Sequence, residues 1–505
     1  MGNTDIITAK EGAISIPFLV KGKLITPPRL DPGEIKKAFN SADGNTSYVK
    51  LPEVQITREP VIDRQTMKYN GDYIYQLMPP LKAEDLVERD FDRLVNTLYS
   101  LSVEDILQYI DTVLRYLIQN RKLIFDIVKN YRLTSEYPDA LLDKWFASIP
   151  TMLDIKNARR MIDSELSYNG RPGSDFLTGW VKADGDTGYI RAMPTRQLHI
   201  TAGNTPEVPI ISTLRAVLTK SAAVIKLPYG AILPGALLAM AAYEAAPNHP
   251  ITQNLSLVYW HGGDESIENI LFAPGAFDRI VVWGGPTTVA AVQSKTPFTK
   301  TIFLNPRYGI SLIGNEAFSG KLEETIDRAL TDVLAYNQKA CISSLVHYVE
   351  GTAEQTEEYA KCLQQALCRW DAEIPNFVSP QAQGQIKRLK HGRYANAKWY
   401  LNYKDDDFSS GVVVISDEFD ILDHPASRLV VIRPVSKLED ALKYIHQGVS
   451  TVGVFPEERR QELKERILAR GVSSVLPLGQ CDAVFAGMPH DGMMILNQLV
   501  DWKLG

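Results

Sequence analysis

The spacing of apolar positions separates the beginning of the chain into two parts. Residues 1–80 contain short strand-like pieces, such as AISIPFLVKGKLI and DYIYQLM, separated by proline-rich turns. Between residues 83 and 167, apolar side chains recur every three or four positions, as at Ile106 and Ile110. This period is typical of amphipathic helices. We therefore expect a strand-containing beginning followed by a helical part.

From residue 197 to residue 305, strand-like and helix-like segments alternate. LHITAG, SAAVIKLP, LSLVYW, RIVVWGG and KTIFLN read as strands, and helical patterns lie between them. Such alternation predicts a parallel sheet with helical crossovers. Ligands of these sheets bind beyond the carboxyl ends of the strands. The candidate binding residues are therefore those that follow the strands, in AGNTP, KLPYG, HGGDES and GGPTT.

Three other patterns surround this stretch. GWVKADGDTGYIRAMP, which precedes it, is typical of a β-hairpin with DGDTG as its turn. From Gly309 onward a second block contains strand-like ISSLVHYVEG and SRLVVIRPV and helix-like AEQTEEYAKCLQQALCRW, and its length suits a second α/β domain. The tail GMPHDGMMILNQLVDW follows.

Composition and charge are those of an ordinary globular protein. Apolar residues make up 45% and charged residues 23% of the 505 positions, and the formal net charge is −6. Without Lys/Arg-rich runs, this charge argues against a nucleic acid partner. Four cysteines do not form a disulfide framework in so long a chain. Because residues 231–246 are too short to span a bilayer and no signal peptide is recognisable, we expect a cytoplasmic protein without a membrane span.

Two glycine pairs follow predicted strands. Gly262 and Gly263 come after LSLVYWH, and Gly284 and Gly285 come before a proline and Thr287, a favourable helix start. Backbone N–H groups at such a start attract phosphate. The usual G-x-G-x-x-G dinucleotide motif is absent. The alternative interpretation is that these glycines merely end strands.

Three polar side chains stand at positions where chemistry is plausible but not required. Lys226 ends a predicted strand, where it can reach a ligand's hydroxyls or phosphates or simply be solvated. Asn204 follows the first strand, where its amide can donate a hydrogen bond into a cleft or serve as a helix cap or turn residue. His490 lies in the tight loop MPHDGM and is either functional or bonded to Asp491 or to the backbone.

Cys341 is the cysteine at a junction between element types. The pattern of KLEETIDRALTDVLAYNQKA predicts a helix running up to it, and a strand follows. Cys341 is then either a nucleophile or a small buried residue; the helix dipole would disfavour its thiolate, and Lys339 could offset this. Cys362 and Cys368 lie on different faces of one predicted helix without a nearby histidine, and Cys481 is interpreted as structural. We expect no metal site.

Together the motifs AGNTP, AAVIKLP, VVWGGPTT and NQKACIS resemble the aldehyde dehydrogenase superfamily. Within it the chain is most similar to the long-chain acyl-CoA reductases, the fatty-acyl reductase component of bacterial bioluminescence, on the segments ITAGNTPEVPIISTLRAVLTKSAAVIKLP, NQKACIS and PHDGMMILNQLVDW. The resemblance implies an α/β fold with a Rossmann-like cofactor domain, an α/β catalytic domain and a small oligomerisation element. It implies these roles: Cys341 as nucleophile, Asn204 in the oxyanion hole, Lys226 at the cofactor ribose, Gly284, Gly285 and Thr287 at the pyrophosphate, and Gly262 and Gly263 near the adenine.

The resemblance also divides the chain and implies its assembly. It assigns 1–176 to an N-terminal segment and helices of the cofactor domain, 177–196 to an oligomerisation hairpin, 197–308 to the cofactor-binding core, 309–480 to the catalytic domain, and 481–505 to an oligomerisation tail. The apolar residues of the hairpin and tail have no other evident burial in the sequence. A homo-oligomer is therefore expected.

The implied activity is NADPH-dependent reduction of a fatty acyl thioester to an aldehyde. The donor would be a fatty acyl-CoA or an acyl-protein, with an acyl-protein synthetase as a partner that hands over the acyl group. Three alternatives stay open: a CoA-acylating aldehyde dehydrogenase for shorter substrates, a cofactor-free cysteine acyltransferase or thioesterase, and a non-catalytic scaffold subunit.

Two departures from the superfamily pattern concern acids. Hydrolytic members carry a glutamate that activates water, but residues 301–311 of this chain contain no acid. Where a glutamate for the nicotinamide ribose is expected, the chain has Asp423 and His424, which are given no role. The first departure predicts slow hydrolysis of an acyl-enzyme, unless an acid distant in sequence, such as Asp423 or Glu207, supplies the base.

Overall fold

The computed structural model describes residues 12–42, 46–183, 188–483 and 486–505. Most of the predicted DGDTG turn, residues 184–187, lies outside the described residues. Within the described ranges, no helix has both the length and the apolar character needed to cross a membrane.

The N-terminal part is strand-rich, as predicted. Its elements are β1 (Ala13–Ser15), β2 (Phe18–Val20), β3 (Lys23–Ile25), α1 (Pro32–Ser41), β4 (Tyr48–Leu51), β5 (Val54–Asp63) and β6 (Lys68–Met78). Four of these strands form a sheet in the order β1-β6-β5-β4. Helix α1 begins at Asp31, whose side chain accepts from backbone N–H groups of the first turn while Glu34 bonds back to the cap.

The predicted helical part follows. It consists of α2 (Ala83–Leu86), α3 (Phe91–Asn96), α4 (Val103–Gln119), α5 (Arg121–Arg132), α6 (Asp139–Met152), α7 (Ile155–Glu165) and α8 (Gly173–Thr178). Ser102 and Asp105 form a capping box that begins α4. The predicted apolar face is confirmed, because Ile106 and Ile110 are buried in the main core.

The central sheet is parallel, as the alternating pattern predicts. Its elements are β9 (Arg196–Ile200), α9 (Glu207–Leu218), β10 (Ala222–Lys226), α10 (Ile232–Ala245), β11 (Leu255–Val258), α11 (Glu265–Leu271), β12 (Arg279–Trp283), α12 (Pro286–Lys295) and β13 (Lys300–Leu304). The strand order is β13-β12-β9-β10-β11-β2-β3. Strands β13 to β11 pair in parallel, and β2 and β3 extend the edge in antiparallel pairing.

A second mixed sheet forms the other large unit. Its elements are β14 (Tyr308–Ile313), α13 (Leu322–Leu334), β15 (Ser344–Glu350), α14 (Ala353–Glu373), α15 (Pro380–His391), β16 (Lys398–Lys404), β17 (Asp407–Val414), β18 (Leu429–Val435), β19 (Val449–Phe455), α16 (Glu457–Leu468) and β20 (Ser474–Pro477). The strand order is β16-β17-β18-β15-β14-β19-β20. Separate apolar clusters cover its two faces.

The predicted hairpin and the tail belong to one small sheet. The hairpin strands are β7 (Val181–Lys182) and β8 (Tyr189–Met193), and the tail supplies α17 (Ile495–Leu499) and β21 (Asp501–Leu504). The order is β21-β8-β7, with antiparallel pairing throughout.

The apolar side chains of the tail are mostly buried within the chain. Ile495, Leu496 and Leu499 lie in the main core, so the expectation that they lack burial is wrong for them. Trp180 and Leu504, by contrast, are 46% and 72% exposed. Assembly through this element remains a prediction.

Candidate active site

The helix before Cys341 ends earlier than the sequence predicts. Helix α13 stops at Leu334, and Tyr336, Asn337 and Gln338 have φ values of 49°, 51° and 63°, in the left-handed region. The prediction of a helix reaching Cys341 is therefore wrong. Its carboxyl end does not adjoin the thiol, and the expected effect of the helix dipole on the thiolate does not apply.

A buried hydrogen-bond network holds this left-handed turn. Arg428 is fully buried, and its guanidinium donates to the Asn337 side chain at 2.7 Å and to Asp371 at 2.6 Å. The Gln338 amide donates to the Leu429 carbonyl at 2.8 Å. Non-glycine residues in this region cost about 1–3 kcal/mol each, so bonds of this kind are needed to maintain the turn.

Cys341 lies beside the first residues of β14. The Gly309 N–H donates to the Ser343 carbonyl at 2.9 Å, and a Cβ at Gly309 would overlap the Ile342 carbonyl oxygen. Only glycine allows this approach. On the other side, the Ser450 hydroxyl donates to the Cys341 carbonyl. The backbone of the Cys341 segment is thus held from both sides.

Burial and the nearby Asp491 carboxylate raise the pKa of the Cys341 thiol to about 11, against the opposing effect of Arg307. An ordinary cysteine has a pKa near 8.5. The thiol is therefore neutral at neutral pH, and nucleophilic attack requires removal of its proton.

Sequence reasoning missed Arg307 and Asp491, which form an ion pair at this site. Their Nε and Oδ1 atoms lie 4.0 Å apart, and the two side chains are 19% and 9% exposed. Burial raises the pKa of Asp491, while Arg307 and Arg215 lower it. Residues 301–311 contain no acid, but Arg307 from this stretch meets an acid from the tail. Nothing in the spacing of the sequence connects the two.

His490, next to Asp491, is held as a neutral ring. Its Nδ1 accepts a hydrogen bond from the Arg215 guanidinium at 3.0 Å, and its ring lies edge-on to Trp283. Burial and the two arginines lower the pKa of His490 to about 3. The side-chain partner is thus Arg215 rather than Asp491, while the backbone pairs with Met493 as the alternative interpretation allowed.

Asn204 lies next to the segment that leads to Cys341. It follows β9, and its Nδ2 donates to the Lys339 carbonyl at 3.2 Å. The Tyr137 hydroxyl donates to the Asn204 carbonyl. The Lys339 ammonium pairs with Glu136 and lies over the Tyr137 ring, so this charge is already engaged and does not serve the thiol.

Glu207 is a second acid in this region. It lies in the first turn of α9 with its side chain buried, and burial raises its pKa to about 7. Within the described residues, its Oε2 has no hydrogen-bond partner. Burial and, after it, the charge of Glu207 raise the pKa of Tyr336. The Tyr336 ring stacks on Trp145, a residue of α6.

Lys226 is not a solvated strand end. Its ammonium lies 5.6 Å and 5.2 Å from the ring centroids of Tyr259 and Trp260. Burial lowers the pKa of Lys226 to about 8, against the opposing effect of Glu268. A partly desolvated cation at the carboxyl end of β10 is suited to an anionic or hydroxyl-bearing ligand.

The glycine pairs follow β11 and β12 at the same edge of the sheet. Gly262 and Gly263 are exposed, and the Gly263 N–H donates to Glu268 at 2.9 Å. Gly285 is the N-cap of α12, and Thr287 is exposed in its first turn. A Cβ at Gly284 would lie 2.9 Å from the Thr288 side chain. The first-turn N–H groups of α12 have no partner within the helix and can receive a phosphate.

The remaining candidate side chains, those of Asp423, His424 and Cys481, have other partners. Asp423 bonds to Arg393 and Tyr394, and the His424 ring contacts the Leu345 carbonyl at 3.2 Å. Cys481 is buried, and its N–H donates to Asp332 at 3.0 Å. Among the residues that the structure describes, no cluster of three or more histidine, cysteine or acidic side chains could hold a metal ion.

This arrangement of two seven-stranded sheets with a four-stranded and a three-stranded one is the aldehyde dehydrogenase fold. The chain is similar to NADP-dependent glyceraldehyde-3-phosphate dehydrogenase from Bacillus halodurans C-125, solved with NADP, with a TM-score of 0.70, 12% identity and coverage of 97% and 99% of the two chains. It is also similar to aldehyde dehydrogenase 21 from Physcomitrella patens, with a TM-score of 0.68, 11% identity and 98% of each chain covered. The predicted fold class is confirmed.

The chain belongs to the family described as Acyl-CoA reductase (LuxC), whose profile matches residues 98–502. The long-chain acyl-protein thioester reductase of Photorhabdus laumondii is 29% identical over 325 residues, which cover 63% of this chain and 65% of that protein. The protein of the same name from Vibrio harveyi is 27% identical over 317 residues, covering 62% and 64%. The family resemblance inferred from the motifs is confirmed.

Proposed function

We propose that this protein reduces the acyl group of a long-chain fatty acyl thioester to an aldehyde, with NADPH as the reductant. The observation that carries the proposal is the bond from the Asn204 amide to the Lys339 carbonyl. It joins the carboxyl edge of the central sheet to the segment that bears Cys341. The nucleophile and the candidate cofactor residues therefore face one region.

The first step is attack of the Cys341 sulfur on the thioester carbon, which transfers the acyl group to the enzyme. The Asn204 amide nitrogen carries two hydrogens, of which Lys339 uses one. The second hydrogen and the Cys341 backbone N–H are the proposed donors to the oxyanion. One such donor contributes about 2.7–4 kcal/mol to the stability of the transition state.

The proposed cofactor residues fit a dinucleotide phosphate. They are Lys226, Gly262, Gly263, Gly284, Gly285 and Thr287. The fit rests on the partly desolvated ammonium of Lys226 and on the free first-turn N–H groups of α12. When bound, the nicotinamide cofactor supplies the hydride that converts the acyl group to an aldehyde. Collapse of the thiohemiacetal then releases the aldehyde from Cys341.

Two acyl donors are proposed, a fatty acyl-CoA and an acyl-protein. The family description names the first, and the names of the relatives specify the second. An acyl-protein donor would imply a partner that carries the acyl group, such as an acyl-protein synthetase. We further propose that the chain forms a homo-oligomer through the β21-β8-β7 sheet, where Trp180 and Leu504 are exposed.

The test uses acyl-CoAs of graded length with NADPH. Wild-type protein should oxidise NADPH and release aldehyde, with a preference for long chains. In the absence of cofactor, labelled donor should leave one thioester, located by mass spectrometry at Cys341 and lost in Cys341→Ala. The matched controls Cys362→Ala, Cys368→Ala and Cys481→Ala should keep the label.

Three outcomes would contradict parts of this proposal. Label that persists in Cys341→Ala rejects this nucleophile. Acylation without NADPH oxidation, for every donor tried, rejects the reductase and favours an acyltransferase. Turnover only with short acyl-CoAs, or only from aldehyde towards acyl-CoA, favours a CoA-acylating aldehyde dehydrogenase.

A further inference from the structure

The start of β14 brings Asp491 to the nucleophile. Because the Gly309 N–H bonds to the Ser343 carbonyl, the residues before β14 run alongside the Cys341 segment. Arg307 is one of these residues, and its guanidinium lies 4.0 Å from the Asp491 carboxylate. Arg307 thereby holds the tail loop close to Cys341. The position of Arg307 is itself fixed by the sheet that contains β14.

The charged groups that face Asp491 come from two elements. Arg307 stands at the start of β14, and Arg215 projects from α9. Arg215 is bonded to His490, which fixes the neighbouring position of the loop. The Asp491 side chain is 9% exposed, so it is largely shielded from solvent. Glu207, a buried acid in the first turn of α9, acts instead on Tyr336, whose pKa it raises together with burial.

A neutral thiol requires a proton acceptor. The pKa of Cys341 is raised to about 11, chiefly by burial and by Asp491, so the thiolate is scarce at neutral pH. Burial also raises the pKa of Asp491, which makes its carboxylate a stronger base than an exposed aspartate. In this pair the thiol can donate a proton and the Asp491 carboxylate can accept it.

We infer that Asp491 accepts the proton of the Cys341 thiol during acylation, and that the loop 489–492 completes the active site. The inference rests on the proposed function. As the bond from Cys341 Sγ to the acyl carbon forms, the thiol proton passes to the Asp491 carboxylate, directly or through one water molecule. The bond to the leaving thiol of the donor then breaks, and the proton passes to that sulfur. Atoms and charge balance without an oxidant or reductant.

The decisive variant is Asp491→Asn, which keeps the shape and removes the base. At neutral pH and saturating acyl-CoA, its acylation rate should fall by about 10²–10⁴-fold. Its thiol pKa, measured by thiolate absorbance or by alkylation rate against pH, should instead fall, because a like charge is removed. At a pH above the thiol pKa, acylation by the variant should approach the wild-type rate, since the thiolate forms without a base.

This pattern separates the inference from other roles of Asp491. A purely electrostatic role predicts faster acylation by Asp491→Asn at neutral pH, because more thiolate is present. A purely structural role predicts slow acylation at every pH. Either result overturns the inference, as does loss of acylation in Glu207→Gln with Asp491→Asn unaffected. Asp482→Asn, which changes an exposed acid of the same tail, is the matched control and should behave as wild type.

The thiol titration does not depend on the substrate. If wild-type protein accepts no acyl donor, the proposed function fails. The titrations of wild type and Asp491→Asn still report whether the carboxylate acts on Cys341. An identical thiol pKa in the two proteins would reject the inference even where the reductase activity is established.

Discussion

The cofactor side and the nucleophile side of the candidate site are built in different ways. On the candidate cofactor side, Lys226 ends β10 and the glycine pairs follow β11 and β12 of the same sheet, and the loops that carry the glycines are largely exposed. On the nucleophile side, Cys341 follows a left-handed turn locked by the buried Arg428. The first arrangement is local in sequence, and the second exists only after distant segments have packed.

Because the two sides differ in this way, substitutions on one side should affect ligand binding, and substitutions on the other should also affect folding stability. A change in an exposed loop after a strand removes a contact with a ligand and leaves the core intact. A change in the network around Asn337 also leaves buried polar groups without partners, which costs free energy of folding.

The largest effect is expected for Arg428→Met. The change leaves the Asp371 carboxylate and the Asn337 side chain without their buried partner. Breaking a buried ion pair in this way costs about 3–5 kcal/mol of the free energy of unfolding, measurable by denaturant titration. The exposed pair of Arg393 with Asp423 is the control, and Arg393→Met should cost about 0–1 kcal/mol. Equal losses in the two variants would remove the contrast.

The next largest effect is expected for Asn204→Ala. Because the Asn204 side chain is exposed, the free energy of unfolding should change little. In the proposed reaction, loss of one oxyanion donor should lower kcat by about 10²–10³-fold. The matched control is Asn269→Ala, another exposed asparagine, in α11. An unchanged kcat would show that Asn204 only anchors Lys339.

A smaller effect is expected at Lys226. Lys226→Met removes a charged hydrogen-bond donor and should raise the KM for NADPH about tenfold. Its effect on the acylation rate should be smaller. In the free wild-type protein the ammonium has a pKa of about 8. Below this value it is protonated and attracts the cofactor, so kcat/KM for NADPH should fall as pH rises through about 8. The variant should lack this step, and equal turnover with NADH would contradict the proposed preference for NADPH.

The smallest effect on turnover is expected at the β21-β8-β7 sheet. Light scattering at micromolar concentration should give a mass above that of one chain. Leu504→Glu, at a position 72% exposed, should shift that mass towards the monomer while the free energy of unfolding of each chain changes little. A monomeric wild type would reject assembly.

The sequence predicts the central sheet well because its signals are local. The alternation of strand-like and helix-like segments predicts β9 to β13, and the glycine pairs mark the loops that follow β11 and β12. The same local logic fails before Cys341, where an apolar period continues past Leu334. The chain nevertheless leaves the helix, at residues that are not glycine. Bonds to Arg428, far away in the chain, stabilise this turn, and no short window of sequence contains them.

Arg307 and Asp491 illustrate the same limit. The sequence reveals that residues 301–311 lack an acid, and it marks the His490 loop as unusual. It does not reveal that these two parts meet, because their contact depends on how the tail packs against Arg307 and against Arg215 of α9. His490 itself is tied to Arg215, whose position on α9 carries no local sign of this role.

The tail also has a consequence for the order of folding. The Thr195 hydroxyl bonds to the Leu499 carbonyl across 304 positions, and β21 completes the sheet of β7 and β8. Contacts of such sequence separation form slowly, whereas the pairs β9–β10, β10–β11 and β12–β13 of the central sheet join consecutive strands. We therefore expect the central sheet to become protected from hydrogen exchange before residues 486–504 dock. In that interval Asp491 would not lie beside Cys341. A newly made chain would therefore lack the proposed proton acceptor for the thiol until the tail has docked.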